Sequence, residues 1–464
     1  MTSLRDRGSF RDPSGFVFFH DGVAYRQVNA AAGDPYRQLM GSGLYEELAR
    51  DRLLVPHEEV PLRLAEAPAA LAVLKPEQIP FISYPYEWCF SGLKAAALLT
   101  LDIQRRALNR GLVLRDASAY NIQFVGTRPI FIDTLSFGAY VEGQPWAAYR
   151  QFCQHFLAPL ALIALVDPSC GELSRTHIDG VPLSLASRLL PVKSRLRPGL
   201  LMHVHLHARS EARTTAPPQN GARTSRTANM GRTAMLGLID SLERCVRGLD
   251  VAPATTLWST YGRHLNYSDA AQAEKRQLVA RLIASAQSGK LQSVWDLGAN
   301  TGEYSRIAAD AGARVMAFDG DHAVVEQHFR SAASRGDDLV LPLVQNLSNP
   351  SPAMGWAHAE RRSLVERGPA DVCLALALIH HLAIGGNVPL GRIAELFGGI
   401  ARRLIIEFVP KEDSQVARML SLREDVFPDY TEPAFARAFG EVFTIVHSAR
   451  IADTVRTLYL MERR

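Results

Sequence analysis

The sequence of 464 residues predicts an α/β protein with two domains: an α+β domain first, then a doubly wound sheet of seven strands. Three observations carry that expectation. Beyond residue 290, short runs rich in Val, Ile and Leu alternate with helix-like stretches, as buried parallel strands do. The first of those runs ends in a tight glycine turn, "VWDLGANTG" at 294–302. Upstream, the segment 207–233 holds almost no large apolar side chains and is rich in Ala, Arg, Thr, Pro and Gly. It reads as a tether between domains.

The domains are therefore expected at 1–205 and 236–464, joined by a flexible basic linker at 206–235. In the C-terminal part the strand-like runs are "SVWDL" (293–297), "RVMAFD" (314–319), "LVLPLV" (339–344), "DVCLALAL" (371–378) and "RLIIEFV" (403–409). Helix-like "EYSRIAADAG" and "HAVVEQHFRSAAS" follow the first two runs. After the helical "EPAFARAFGEV", "FTIVHSA" and "TVRTLYLME" close the chain as an antiparallel hairpin.

Ligands of such sheets bind outside the carboxyl ends of the strands, where the glycine turn falls. Gly298 is free to take backbone angles closed to other residues, and Gly302 keeps the helix start clear of bulk. Asp296 offers a carboxylate at the mouth, and Asn300 lies within the turn. Asp319, about 20 residues on at the end of the second run, suits the two hydroxyls of a ribose. Asn346, just past the third run, suits an adenine edge. A dinucleotide would want G-x-G-x-x-G and no acid beside its phosphates. Here the turn has one early glycine and an acid, which favours a cofactor with a cationic tail.

"VWDLGANTGEYS" followed by "VMAFDGD" resembles the first two motifs of class I S-adenosylmethionine (SAM)-dependent methyltransferases, over roughly residues 290–464. The resemblance implies a Rossmann-like methyltransferase sheet. It also implies that Asp296, Gly298, Asn300 and Gly302 line the methionine end of SAM and that Asp319 holds the ribose. Gly320 and Asp321 would shape the adenosine pocket.

Transfer to a hydroxyl or amine needs a group that removes a proton. "ALIHHLAIGGN" after the fourth run supplies His380 and His381 as candidate bases, since imidazole titrates near neutrality. Glu407 and Lys411 in "EFVPKED" share the rim, Glu407 as a further catalytic candidate. Trp258, Tyr261 and Tyr267 could cover the cofactor or pack in the core, and Arg423, Asp429 and Tyr430 could form a substrate loop or a surface ion pair. The N-P-P-Y and D-P-P-Y signatures of familiar amino-methyltransferases are missing, and no metal site is expected in this domain.

In the first half, "GLVLRDASAYNIQFVGTRPIFIDTLSF" (111–137) carries Asp116, Asn121 five positions later, and Asp133 past a hairpin. This order resembles the catalytic loop and metal-binding acid of kinase-like folds, including aminoglycoside phosphotransferases. The resemblance implies Asp116 as base, Asn121 and Asp133 as magnesium ligands, and ATP as cofactor. "GFVFFHDGVAYRQVN" reads as a hairpin, "LYEELARD" as a helix and "FISYPYEW" as a hinge-like strand. The sequence departs from the family in three places. It lacks a glycine-rich phosphate loop, has Arg26 where a strand lysine is expected, and has "IDTLSF" for Asp-Phe-Gly, so the domain is expected to be degenerate. Methyltransferases joined to kinase-like modules are similar to bacterial glycan-modifying enzymes and to nodulation-associated methyltransferases. That similarity implies a carbohydrate or other polar hydroxylated acceptor, with a bifunctional phosphotransferase or a non-catalytic scaffold as alternatives.

Composition bounds the rest. Apolar residues at 47% and charged residues at 21% describe an ordinary globular chain, and a net charge of +4 makes no case for nucleic acid. No apolar run reaches the roughly 20 residues of a membrane span, and the N-terminus lacks a signal-peptide core, so a cytoplasmic location is expected. Cys89, Cys153, Cys170, Cys245 and Cys373 show no paired spacing and are expected as reduced core residues.

Overall fold

The computed structural model describes residues 3–215, 230–252, 268–286, 293–421 and 424–464. The chain divides into two compact units, Met1–Ala252 and Pro253–Arg464. The boundary falls later than the expected 206–235. Helix His207–Thr215 occupies the start of the expected linker, and helix Arg232–Arg247, expected in the second domain, belongs to the first unit. Its buried Met235, Ile239, Leu242 and Val246 recur at helical spacing and form one apolar stripe. It packs on helix Phe90–Asn109, where Arg105 bonds Glu243 at 2.5 Å and Asp240 at 2.9 Å.

The first unit holds a five-stranded antiparallel sheet of β1 (Ser3–Arg5), β2 (Gly15–His20), β3 (Val23–Asn29), β4 (His57–Val60) and β5 (Ala70–Pro76), in the order β1-β2-β3-β5-β4. The β2–β3 hairpin is the one read from the sequence. Asp21 and Gly22 both take positive φ, as a two-residue turn between twisted strands requires. "LYEELARD" is helical over Leu44–Arg50. "FISYPYEW" forms no strand: its Pro85–Glu87 portion is a single helical turn, with the Glu87 carboxylate accepting the Tyr84 N–H at 3.0 Å. Two short ribbons follow helix Phe90–Asn109. They pair β6 (Leu112–Leu114) with β9 (Phe137–Ala139) and β7 (Ile122–Val125) with β8 (Arg128–Phe131).

The second unit is built on a seven-stranded sheet. Its strands are β10 (Ser293–Leu297), β11 (Arg314–Asp319), β12 (Val340–Val344), β13 (Ala370–Ala375), β14 (Ala401–Phe408), β15 (Phe443–Arg450) and β16 (Thr457–Arg463). The order is β12-β11-β10-β13-β14-β16-β15, parallel as far as β14 and antiparallel for the terminal hairpin. β12 is buried at every position and β10 at all but its first, which explains why they read as unbroken apolar runs. Val294, Val315, Val372, Leu374 and Ile405 pack with Leu278 and Leu282 of helix Asp269–Ser285. The fourth run stops three residues sooner than expected. Ala377 takes positive φ, and the chain then winds into a wide turn closed by Gly386 N–H to His381 C=O at 2.9 Å.

No helix among the described residues is long and apolar enough to cross a membrane. All five cysteines are free; Cys89, Cys153 and Cys373 are buried, whereas Cys170 and Cys245 are half-buried rather than core.

Candidate functional site

The connection after β10 lies at the switch point, because the sheet grows from β10 toward β11 on one side and β13 on the other. Gly298, Asn300 and Gly302 all have positive φ, at +75°, +48° and +86°. The loop folds back onto the end of β11, with Gly298 and Ala299 N–H groups donating to the Phe318 carbonyl at 2.8 and 2.9 Å. Asn300 N–H donates to one Asp319 carboxylate oxygen at 2.9 Å, and Asp321 N–H donates to the other at 2.9 Å. Burial raises the Asp319 pKa, and these amide donors oppose the rise. A carboxylate has about four lone-pair sites, so two amides leave it able to accept further hydroxyls.

The other turn residues take more specific roles than their spacing suggested. Asp296 does not stand at the mouth. It is buried under the loop, where Ser305 Oγ donates to it at 2.6 Å, and burial pushes its pKa up to about 6. Gly302 is required by the helix His322–Ser334 as well as by its own φ, since a side chain there would collide with the His328 ring. His328 is buried, and its pKa is pushed down to about 4, so the ring is neutral near pH 7. Asp321 caps the same helix, accepting from Ala323 N–H at 2.8 Å and Val324 N–H at 3.3 Å. Gly320 and Asn346 are both exposed, and a side chain at Gly320 would lie 3.7 Å from Asn346 Cα. Asn346 Oδ1 accepts the Ser348 N–H at 2.9 Å. Asp319, Gly320 and Asn346 thus form one edge at the ends of β11 and β12, with the Gly298–Gly302 loop beside it.

Beyond β14 the site is ionic. Glu407 is fully buried, accepting from Lys275 Nζ at 2.6 Å and Arg456 Nη1 at 3.3 Å. Arg456 in turn forks onto Asp413, with Nε at 2.7 Å and Nη2 at 3.1 Å. Lys275 Nζ also lies 5.1 Å from the centroid of the Tyr304 ring. Glu407 is therefore not an open carboxylate on the rim as expected; its charge is committed to two buried cations. Lys411 points elsewhere, pairing with Asp425 at 2.7 Å. Asp413 and Arg456 also line a cavity of about 550 Å³, together with Glu412, Arg450 and Asp453. It opens where the ends of β14 and β15 meet the start of β16, at the same sheet edge as the glycine loop.

His380 and His381 lie in the turn after β13, with ring centroids 4.0 Å apart. Burial lowers both pKa values, and the neighbouring charge of Arg456 lowers them further, His381 to about 4. His380 is fully buried, and neither of its ring nitrogens has a hydrogen-bond partner among the described residues. His381 is only partly buried. The pair lies past the end of β13 and not in a strand. Tyr430 is a core residue, donating to the Val409 carbonyl at 2.9 Å, while Asp429 is exposed. Trp258, Tyr261, Tyr267 and Arg423 lie outside the described residues.

Sequence reasoning missed Lys275, Arg456, Asp413 and Ser305. Lys275 carried a signal: with Ala271, Leu278, Val279 and Leu282 it occupies the apolar stripe of its helix, an unusual place for a lysine without a buried acid to meet.

In the first unit, Asp116, Asn121 and Asp133 are brought together. Asn121 Nδ2 donates to Ser136 Oγ at 3.1 Å, and Ser136 Oγ donates to Asp133 at 2.6 Å. Burial raises the Asp116 pKa, and the Asp133 charge adds to the rise. Asp116 also accepts the Ser118 N–H at 2.8 Å. Asp133 is ion-paired with Arg26 of β3 at 2.6 Å, with side chains 14% and 17% exposed respectively. A divalent cation at Asp133 would have to displace that guanidinium. The residues in this arrangement do not fit a magnesium site.

No family model matches the chain. Nodulation protein NoeA of Rhizobium meliloti (strain 1021) is 36% identical over 463 residues, spanning 99% of this chain and 96% of that protein. The chain belongs to the NoeA family. Three solved structures each resemble less than half of this NoeA-family chain. Magnesium protoporphyrin IX methyltransferase (ChlM) from Synechocystis PCC 6803, with bound SAH, is 18% identical and covers 45% of this chain and 94% of its own, at a TM-score of 0.32. N-methyltransferase NodS from Bradyrhizobium japonicum WM9, in complex with SAH, is 11% identical, covers 44% and 97%, and scores 0.32. The bifunctional kinase-methyltransferase WbdD is 15% identical, covers 47% and 45%, and scores 0.31. Likenesses of this degree carry no argument about activity.

Proposed function

We propose that the C-terminal unit of this NoeA-family chain is a SAM-dependent methyltransferase acting on an oxygen of a polar hydroxylated acceptor, such as a carbohydrate. The observation that carries the reading is Asp319. Its carboxylate is fixed by the Asn300 and Asp321 amides at the end of β11 and keeps lone pairs for two ribose hydroxyls. The exposed edge of Gly320 and Asn346 would take the adenine, and Gly298 and Asn300 would face the methionine end. Asp296 and Gly302 act from beneath, through Ser305 and His328. SAM supplies an activated methyl group, so the protein's share is to align the acceptor and take its proton. His381 is the better candidate base of the pair because it is partly exposed whereas His380 is fully buried, and the burial that holds its pKa near 4 makes it a weaker proton acceptor than a free imidazole. The acceptor would occupy the cavity lined by Asp413, Arg450, Asp453 and Arg456.

We read the first unit as a kinase-like domain that does not transfer phosphoryl groups. The Arg26–Asp133 pair favours this over the bifunctional alternative, because it neutralises the acid a metal would need.

Calorimetry of the purified chain with SAM tests the main reading, together with Asp319→Ala. Binding that the substitution leaves unchanged would remove the site assignment. Methyl transfer to any acceptor would remove the scaffold alternative.

A further inference from the structure

The segment Leu183–Ser210 of the first unit contains Arg188, Lys193, Arg195, Arg197 and Arg209 and no Asp or Glu. All five basic side chains are exposed, and none forms an ion pair among the described residues. Interleaved with them are apolar side chains held out to solvent: Val192 is 76% and Leu196 84% exposed, with Leu189, Met202 and Leu206 also exposed. The opposite side of the same elements is ordinary core, with Leu183, Ala186, Leu190, Leu200 and Val204 all buried. The apolar residues therefore sort into an inner set that packs and an outer set that does not.

The outer set stands on a rigid base. Helix Leu183–Leu189 and the turn Val192–Leu196 both pack against the wide helical turn Leu201–Leu206. His205 of that turn bonds Ser187 at 2.8 Å through one ring nitrogen and Ser194 at 2.9 Å through the other. One imidazole thus ties the helix to the turn, and the positions of Val192 and Leu196 are set by it.

Five large apolar side chains exposed within 18 residues, on elements that pack on one another, are more than the single scattered ones of an ordinary surface and mark an interaction site. The charge around them selects the partner: five unneutralised cations without one carboxylate would repel a basic partner and attract an anionic one. The apolar side chains interleaved with them in sequence would gain only if that partner also offered hydrocarbon. A bilayer with anionic headgroups supplies both. We propose that this segment is a peripheral docking surface for an anionic lipid bilayer, with Val192 and Leu196 entering the headgroup boundary and the basic side chains on the phosphates. The proposal is independent of the methyltransferase reading, since it concerns the first unit and needs no cofactor.

The test is flotation of the full chain with vesicles of phosphatidylcholine alone and of equal parts phosphatidylcholine and phosphatidylglycerol. Binding is expected to the mixed vesicles only. Replacing Lys193, Arg195 and Arg197 by Gln should weaken it by on the order of 100-fold, from about fivefold for each charge near the surface. Val192→Ser with Leu196→Ser, which adds no charge, should weaken it by roughly tenfold or more by removing the buried hydrocarbon. Both variants change exposed side chains, and unchanged far-ultraviolet dichroism confirms their fold. Equal binding to the neutral vesicles would overturn the proposal, as would the apolar variant binding like the parent. Failure to float, with self-association in sedimentation that either variant abolishes, would assign the surface to a second copy of the chain and overturn it likewise.

Discussion

Arg26 and Asp133 form an ion pair of 2.6 Å inside the first unit, one residue on β3 and the other just past β8. The pair is mostly buried, so losing one partner leaves the other partly desolvated and unneutralised. Arg26→Ala is expected to lower stability by about 1–3 kcal/mol. It also frees the Asp133 carboxylate beside Asn121. Millimolar magnesium should then raise the melting temperature of the variant and leave that of the parent unchanged, because a ligand of the folded state stabilises it. A parent chain that gains stability from magnesium would show that the guanidinium does not block the site.

The Asp319 carboxylate already serves two amides, so its removal has two consequences. Asp319→Ala should weaken SAM binding by on the order of 100-fold, the loss of charge-assisted bonds to two hydroxyls. Asp319→Asn retains an acceptor and should fall between the two. Calorimetry separates these outcomes, and thermal melts show how much of the loss comes from the unanchored Asn300 loop.

Gly302 and His328 are coupled by contact, since any Cβ at 302 meets the imidazole. Gly302→Ala should destabilise the second unit by roughly 2–4 kcal/mol, from positive φ and from the collision together. His328→Ala opens the space and should restore part of that in the double variant, leaving the backbone strain of about 1–2 kcal/mol. Strict additivity in denaturant melts would mean that the ring is not what Gly302 accommodates.

The strands of the second unit were legible because burial on both faces writes itself as unbroken apolar runs, and Asp319 was legible because its interval from Gly298 is set by one helix and one strand. Asp296 was misplaced for a reason the sequence does not carry: whether a carboxylate beside a turn lies above or below it depends on Ser305, nine residues on in the next helix. The Glu407 cluster draws Lys275 from a helix more than 130 residues earlier and Arg456 from the turn before β16 almost 50 residues later, and no local spacing links them. The domain boundary moved because helix Arg232–Arg247 follows the Arg-rich segment but finds its apolar partner before it, on Phe90–Asn109.

Asp296 predicts a pH effect of definite sign. Its pKa rises from 3.8 to about 6 on folding, so the folded state holds the proton more tightly. The associated stability is fully present below pH 3.8 and is lost as pH rises through about 6. His328 and His381 act in the opposite sense. Their pKa values fall from 6.5 to about 4, so their contribution is present above 6.5 and is lost as pH falls through about 4. The parent's profile mixes the two, and the difference between parent and Asp296→Asn isolates the first. The variant should be more stable than the parent near pH 7 by roughly 1–3 kcal/mol, with the gap closing toward pH 4. A gap independent of pH in urea titrations would place the effect elsewhere.

Glu407 distinguishes a charge anchor from a proton acceptor. Between Lys275 and Arg456 it balances two buried cations, and Glu407→Gln leaves Lys275 without its buried acid while Arg456 keeps Asp413. Such a break should cost about 3–5 kcal/mol. Lys275→Met removes the cation instead and leaves Glu407 with Arg456, a milder change. In the double variant the unbalanced charge is gone, so the two losses should fall short of additivity by about 1–3 kcal/mol. If Glu407 were the base, Glu407→Gln would abolish methyl transfer in single and double variants alike. Methyl transfer recovering with stability in the double variant, measured once an acceptor is in hand, assigns Glu407 to the architecture of the site and leaves the proton to the His380–His381 turn.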